Sequence, residues 1–295
     1  MSNTHAKSAQ SKPRATDISR AANHMKRVIN IEPSQSVRWF LIVVPFALTV
    51  AAYVIASDAR LLSNSEDKLL PSLSTLGDTI YRLAFVPDPR TNQLLLWTDT
   101  FATLSRLLPA LLISITIGLV FGVVIGLIPT TRAIFGPFMD VVSFVPPLSL
   151  LPILLIALGL GETTKILLLV IGITPFLIRT MAMRVGDLPR EQLIKAQSLG
   201  GSSWLIAQKI VVPQLLPHLV DAARLAIGPA LLFLIAAEAI ASEEGLGYRI
   251  FLVRRYLAMD VIIPYVIWIT LLAILMDTAL AMLQRVLFPW FQGAR

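Results

Sequence analysis

Glu238 follows the apolar run 231–237 with no basic residue near it in sequence. An acid at membrane depth is costly and ordinarily faces protein or water rather than lipid. It therefore reads either as a pathway residue or as a buried hydrogen-bonder. Asp140, Arg179, Asp221, Arg224 and Asp277 also fall inside apolar runs. All of these except Asp140 are expected to snorkel, because they lie near a run's end and can reach the interface. Pro146, Pro147 and Pro152 interrupt a further apolar stretch. Each removes a backbone donor and displaces the carbonyl one turn earlier. In lipid the freed carbonyls need partners or a cavity, which makes Pro146, Pro147 and Glu238 the pathway candidates.

Other chemistry is excluded by residue type. The chain has no cysteine, so thiol catalysis, thiolate metal sites and disulfides are impossible. His5, His24 and His218 are too few and too scattered for a zinc site, and no metal is expected. Gly161-Glu162-Thr163-Thr164-Lys165 lacks the Gly-Lys-Ser/Thr ending of a phosphate-binding loop. Gly118, Gly122 and Gly126 recur every four residues, about one helical turn, and so share a face that lets another helix approach closely.

The elements that must position these residues are membrane spans. Of 295 residues, 56% are hydrophobic and only 15% charged, with a mean hydropathy of +0.74. Soluble domains carry about 25% charged residues, and the apolar residues here sit in solid blocks of about 18 or more, enough to cross the hydrocarbon. The fold expected is all-α and integral to the membrane, with about six spans at 39–56, 107–127, 134–158, 166–182, 220–241 and 261–283. Residues 1–38 form a basic tail, expected to be disordered and cytoplasmic, with no secretory signal; 39–295 form the transmembrane domain. The polar stretch 57–106 suggests amphipathic helices at 73–85 and 94–106. With both termini inside, fourteen Lys and Arg fall on the cytoplasmic side against nine outside. That bias favours this orientation.

The polar segment between spans four and five, with an elbow at 186–213, is the most informative. Asp187 is a good helix cap with Pro189 in the first turn. Leu188, Leu193, Ala196 and Leu199 make an apolar stripe, and Gly200-Gly201 end the helix. Ser202 caps a second helix, expected to stop before Pro213. An exposed elbow with an apolar stripe invites a partner's groove.

These residues resemble the signature loop of binding-protein-dependent ABC importer permeases of the six-helix type. Anchored on Gly200, the match places Ala196 as the motif's second alanine, Ile210 as its isoleucine, and Val212-Pro213 on its Leu-Pro. Ile194 and Lys195 replace the motif's glutamate and first alanine, with Glu191 one turn earlier. Pro137-Phe138-Met139-Asp140, 145–152, Ala236-Ala237-Glu238 and Gly245-Leu246-Gly247-Tyr248 resemble the nitrate, sulfonate, taurine and bicarbonate branch. Segments 188–197 and 250–260 look like its urea-carboxylase-associated subgroup.

The resemblance implies a bacterial inner-membrane importer permease that is not an enzyme, working by alternating access. It implies that the elbow couples to cytoplasmic ABC ATPase subunits through Glu191, Lys195, Ala196, Gly200, Ile210 and Pro213. It also implies a periplasmic or lipid-anchored solute-binding protein and a second permease copy, either identical or related. This chain would hold no cofactor, with ATP and Mg on the ATPase, and would bind lipid but no nucleic acid. The resemblance to the urea-carboxylase-associated subgroup implies a small nitrogen compound as substrate, urea- or guanidine-like, and Glu238, without a partner in sequence, suits a cation better than nitrate or a sulfonate. The alternatives are nitrate, a sulfonate or bicarbonate, or an ion-coupled secondary transporter, for which no convincing internal repeat is present.

Overall fold

The computed structural model describes residues 33–64 and 67–294. The basic stretch 1–32, most of the expected tail, lies outside them. The chain divides into two units, residues 1–56 and 57–295. In the first unit the apolar run from 39 builds most of helix α1 (Gln35–Ser63), which Pro45 does not interrupt.

Every regular element among the described residues of the second unit is a helix. Helix α2 (Leu73–Phe85) falls where the amphipathic pattern places it and is capped by Ser72, whose Oγ accepts from the Thr75 amide at 3.2 Å. Then follow α3 (Leu95–Leu127), α4 (Pro129–Ser143), a 3₁₀ turn (Pro147–Leu150), α5 (Leu151–Leu158), α6 (Glu162–Gly186) and α7 (Arg190–Ser198). Helix α8 (Ser203–Ala241), α9 (Leu246–Arg254) and α10 (Met259–Leu287) complete the order. Among the described residues α1, α3, α6, α8 and α10 are long and apolar enough to cross a membrane. The pair α4 and α5 makes a sixth span if taken together, bent by 83° at Phe144–Pro146.

Three regions come out differently from expectation. The amphipathic stretch 94–106 and the span 107–127 are one continuous helix, α3, of 33 residues. Its polar face (Asp99, Thr100, Thr103, Arg106) is buried inside the bundle rather than laid on the membrane surface. Periodicity reports the chemistry of a face, not what covers it. The second elbow helix does not stop before Pro213; α8 runs through it for 39 residues. A π-helical turn at Ala207–Val211 precedes the proline, and the Val212 amide bonds back five residues to the Ala207 carbonyl. That widened turn lets the chain carry a proline without breaking. Between the expected spans 220–241 and 261–283, where no element is expected, the chain forms helix α9.

The core packs α3, α6 and α8 around Leu107, Leu169, Ile173, Leu177, Met181, Ala226, Ala230 and Leu234, all nearly inaccessible. The glycine ridge of α3 lies against α6 at the same four-residue spacing. A Cβ on Gly118 would stand 2.6 Å from Leu177 Cβ, and one on Gly126 2.5 Å from Val185 Cβ. Gly122 meets Met181 in the same way. Three glycines facing three larger side chains, each four apart, bring the two backbones together as small-residue ridges do in membranes. Helices α3 and α6 run in the same direction, since Arg106 meets Glu162 at one end and Gly126 meets Val185 at the other. This gives the unit an ion-network end and an elbow end.

Candidate functional site

At the elbow end, α6 finishes at Gly186, and Asp187 closes it rather than opening the next helix. Asp187 lies 3.5 Å from Arg184, and Pro189 occupies the cap position of α7 with no side-chain bond. Helix α7 ends in a turn in which the Gly201 amide reaches the Ala196 carbonyl and the Gly200 amide the Gln197 carbonyl, both at 2.9 Å. This paired-bond C-cap needs a residue at positive φ, and Gly200 supplies it at +80°. A Cβ on Gly201 would stand 2.8 Å from the Ala196 carbonyl oxygen. Ser202 then caps α8, accepting from the Leu205 amide at 3.3 Å.

The apolar stripe divides. Leu188, Leu193, Ala196 and Ile210 pack inward on Val185, Ile206, Val211 and Leu215. The Gln214 amide also ties α8 to Gln192 at 3.0 Å. What the elbow exposes is the last member of the stripe, Leu199 (89% exposed), together with Trp204 (75%) and Ile194 (58%), which lie outside it. Glu191, Lys195, Gly200 and Pro213 are exposed beside them. Sequence alone picks the stripe by spacing but cannot tell which face the chain covers itself.

The opposite end carries a network that sequence reading missed. Glu238 is fully buried, and it has partners from two other helices. Its carboxylate accepts from Arg106 Nη1 at 2.8 Å, from Thr103 Oγ1 at 2.9 Å and from the Gly247 amide at 2.9 Å. Arg106, itself buried, also donates to the Glu244 carbonyl at 3.0 Å and to both carboxylate oxygens of Glu162. Lys165 closes on Glu162 at 2.8 Å. Asp99, also fully buried, accepts from the Gly245 amide at 3.1 Å, Arg249 Nε at 2.8 Å and Tyr265 Oη at 2.8 Å. Burial works against the Arg249 cation, but its bonds to Asp99 hold its pKa above the ordinary arginine value.

Asp99, Thr103 and Glu238 thus take the successive amides of Gly245, Leu246 and Gly247, the uncapped start of α9. Gly245 sits at φ +123°, and a Cβ there would stand 2.6 Å from the Glu238 carboxyl carbon. Beside the network, Arg106, Glu162, Lys165 and Glu244 line a cavity of 710 Å³. The signal in sequence was the polar face of α3 together with the glycines of 245–247; their meeting with Glu238 was not legible.

Glu238 is therefore a buried hydrogen-bonder with a basic partner, and its supposed isolation no longer favours a cationic substrate. The residues expected to snorkel are paired too. Arg224 makes a two-pronged contact with Asp277 at 2.7 and 3.0 Å and lies 3.6 Å from Asp221; Arg179 lies 2.9 Å from Asp140. At the break between α4 and α5, the Pro146 carbonyl accepts from both the amide (3.0 Å) and Oγ (2.7 Å) of Ser149. The exposed proline turn thus meets part of its backbone demand locally. Pro147 is half-buried, and a Cβ on Gly172 would stand 3.0 Å from it.

Apolar spans, one broken at a proline pair, together with a glycine-cornered elbow held out from the bundle, define a membrane transport component. Residues 96–293 match the family described as the inner membrane component of binding-protein-dependent transport systems, and the chain belongs to that family. It is a multi-pass inner-membrane permease subunit of an ABC transporter and not an enzyme, and that membership implies ATPase and binding-protein partners. It is 34% identical to the taurine transport system permease protein TauC of Escherichia coli (strain K12), over 66% of this chain and 71% of that one. It is 30% identical to the bicarbonate transport system permease protein CmpB of Synechococcus elongatus, over 69% and 78%. Its fold is similar to a chain of the inward-facing MetNI methionine ABC transporter, with a TM-score of 0.59 at 19% identity, covering 65% of this chain and 95% of that one.

Proposed function

We propose that this permease serves an importer of a small oxyanion, of the sulfonate or bicarbonate kind, with the elbow end in the cytoplasm. The observation that carries the coupling role is the elbow itself. A rigid two-bond glycine cap holds Leu199, Trp204 and Ile194 out in the open, with Glu191, Lys195 and Gly200 on the same protrusion. Such exposed apolar groups on a fixed turn suit insertion into a partner's groove. Ala196 and Ile210 act from beneath, as the packing that braces the turn. A second permease copy completes the path, which passes the break at Pro146 and Pro147. The oxyanion reading rests on the names of the taurine and bicarbonate relatives and on the pairing of Glu238 with Arg106, which removes the unpaired acid as a reason for a guanidine-like cation and leaves the urea reading to the resemblance of segments 188–197 and 250–260 alone.

The test is co-expression with the ATPase and binding protein encoded beside it, pull-down, and ATP hydrolysis in nanodiscs. Stimulation by ethanesulfonate, taurine or bicarbonate supports the reading. Stimulation by urea or guanidinium alone sinks the substrate class. A Leu199→Glu chain that still holds the ATPase as tightly as the wild type sinks the elbow.

A further inference from the structure

A second cavity, of 400 Å³, opens at the elbow end between α4 and α6, and its polar lining is two arginines and one aspartate. We propose that this cavity, built around Arg132 and Arg179, is a transit site for the oxyanion, with Asp140 as the carboxylate that the passing anion displaces. The proposal rests on the oxyanion reading above and assigns that substrate a place on this chain.

The charge balance comes first. Two guanidiniums face one carboxylate, an excess of one positive charge where α4 and α6 diverge. Neither arginine is used up by its contacts. Arg132 reaches back to the Ile125 carbonyl at 3.4 Å and to the Gly126 carbonyl, closing the end of α3. Arg179 contacts Asp140 through Nε at 2.9 Å and donates to Ser143 Oγ through Nη1 at 2.7 Å. A guanidinium has five N–H donors in a planar fork suited to carboxylate-like and sulfonate-like oxygens. Among the described residues two donors of each are engaged, so the others remain for a ligand.

The Arg179–Asp140 pair is also open to the cavity and its surroundings, with side chains 42% and 57% exposed within this chain. Such a pair is held weakly and exchanges partners at little cost. The pair at the other end of the molecule, Arg106–Glu238, is enclosed and cannot exchange in that way.

The space itself is made by small residues. Gly136, Ala182 and Gly186 line the cavity, and a Cβ on Gly186 would meet nothing within 4 Å. Helix packing therefore does not account for Gly186, whereas Gly118, Gly122 and Gly126 each touch α6. Met183, 62% exposed, stands at the rim.

Because the chain has no cysteine, one introduced thiol reports on the cavity directly. The full-length Met183→Cys chain in nanodiscs is treated with a sulfonate-bearing and a trimethylammonium-bearing methanethiosulfonate. Each rate is normalised to that of the same reagent with a free thiol in solution. The expected result is a normalised preference of about tenfold for the anionic reagent, as local positive potential concentrates anions. Arg179→Gln and Arg132→Gln each reduce the preference, and Asp140→Asn raises it. Ethanesulfonate and bicarbonate slow the labelling; urea does not.

A normalised ratio of one or below overturns the proposal, as does a preference that neither arginine substitution changes or labelling that no oxyanion slows. If Arg179→Gln fails to fold by size-exclusion profile, Arg132→Gln and Asp140→Asn carry the comparison. An absent charge preference beside oxyanion-stimulated ATP hydrolysis removes this site and leaves the importer reading standing. Charge-selective, oxyanion-protected labelling without stimulated hydrolysis does the reverse.

Discussion

The two ends of the 57–295 unit are held together by opposite means. At the ion-network end, Asp99, Thr103, Arg106 and Glu238 are buried, multiply hydrogen-bonded and drawn from helices far apart in sequence. At the elbow end, α3 and α6 meet through glycines, the turn depends on Gly200, and apolar groups are left open. A buried charge network has only one low-energy arrangement, because a missing partner leaves an unpaired charge in a dry interior. A glycine seam and a weak, open ion pair have no such lock. The first end is built to stay assembled, and the second carries the exposed groups and the exchangeable ion pair on which the proposed coupling and transit rest.

Removing the centre of the network is expected to have the largest effect. Arg106→Gln leaves Glu238 buried without its cation, and breaking such a pair costs about 3–5 kcal/mol. Thermal unfolding in detergent should move down by many degrees or the chain should fail to accumulate. The double change Arg106→Gln, Glu238→Gln should recover part of the loss. Equal destabilisation in single and double variants would show that the network is not cooperative.

Next comes the glycine seam. Gly122→Val places a branched side chain against Met181 and should cost about 1–3 kcal/mol through overpacking. Met181→Gly in the same chain, which removes the Cβ that the new side chain meets, should return part of the stability. A Gly122→Val chain that melts like the wild type would mean that α3 and α6 separate freely.

A smaller loss is expected at the corner of the elbow. Gly200→Ala must hold φ near +80°, at a cost of about 1–2 kcal/mol for an L-residue. Its signature should be loosened coupling, seen as lower transport per ATP hydrolysed, beside a fall in melting of a few degrees. The smallest stability effect belongs to Leu199→Glu, which touches nothing inside the chain and should stay within about 0.5 kcal/mol while weakening co-purification with the ATPase. A large fall in melting for Leu199→Glu would contradict the picture of an open elbow.

How legible these features were in the sequence follows the same division. Gly200-Gly201, Ser202 and the 118–122–126 ridge act on residues a few positions away or along a single helix face, so spacing alone revealed them. Asp187 was misplaced as a cap because a turn of unknown direction can close one helix or open the next. The three inward-facing members of the elbow stripe, Leu188, Leu193 and Ala196, were misread because covering them takes α8, about twenty residues on. Arg106, Asp99 and Arg249 read as ordinary charges of polar segments, since nothing in their neighbourhood announces a partner more than a hundred residues away.

Composition and periodicity by themselves determined that this chain crosses a membrane, where most spans lie, that one span breaks at Pro146-Pro147, and that an elbow turns at Gly200-Gly201; the family came from resemblance to its signature loop. These are consequences of hydrocarbon thickness, backbone hydrogen bonding and φ, which act locally along the chain. Only the tertiary structure decided that Glu238 is paired, which face of the elbow is open, and that two arginines from different helices share one cavity. Those outcomes depend on charges and surfaces brought together by packing, and the free energy of a charge is set by what surrounds it rather than by what precedes it in sequence.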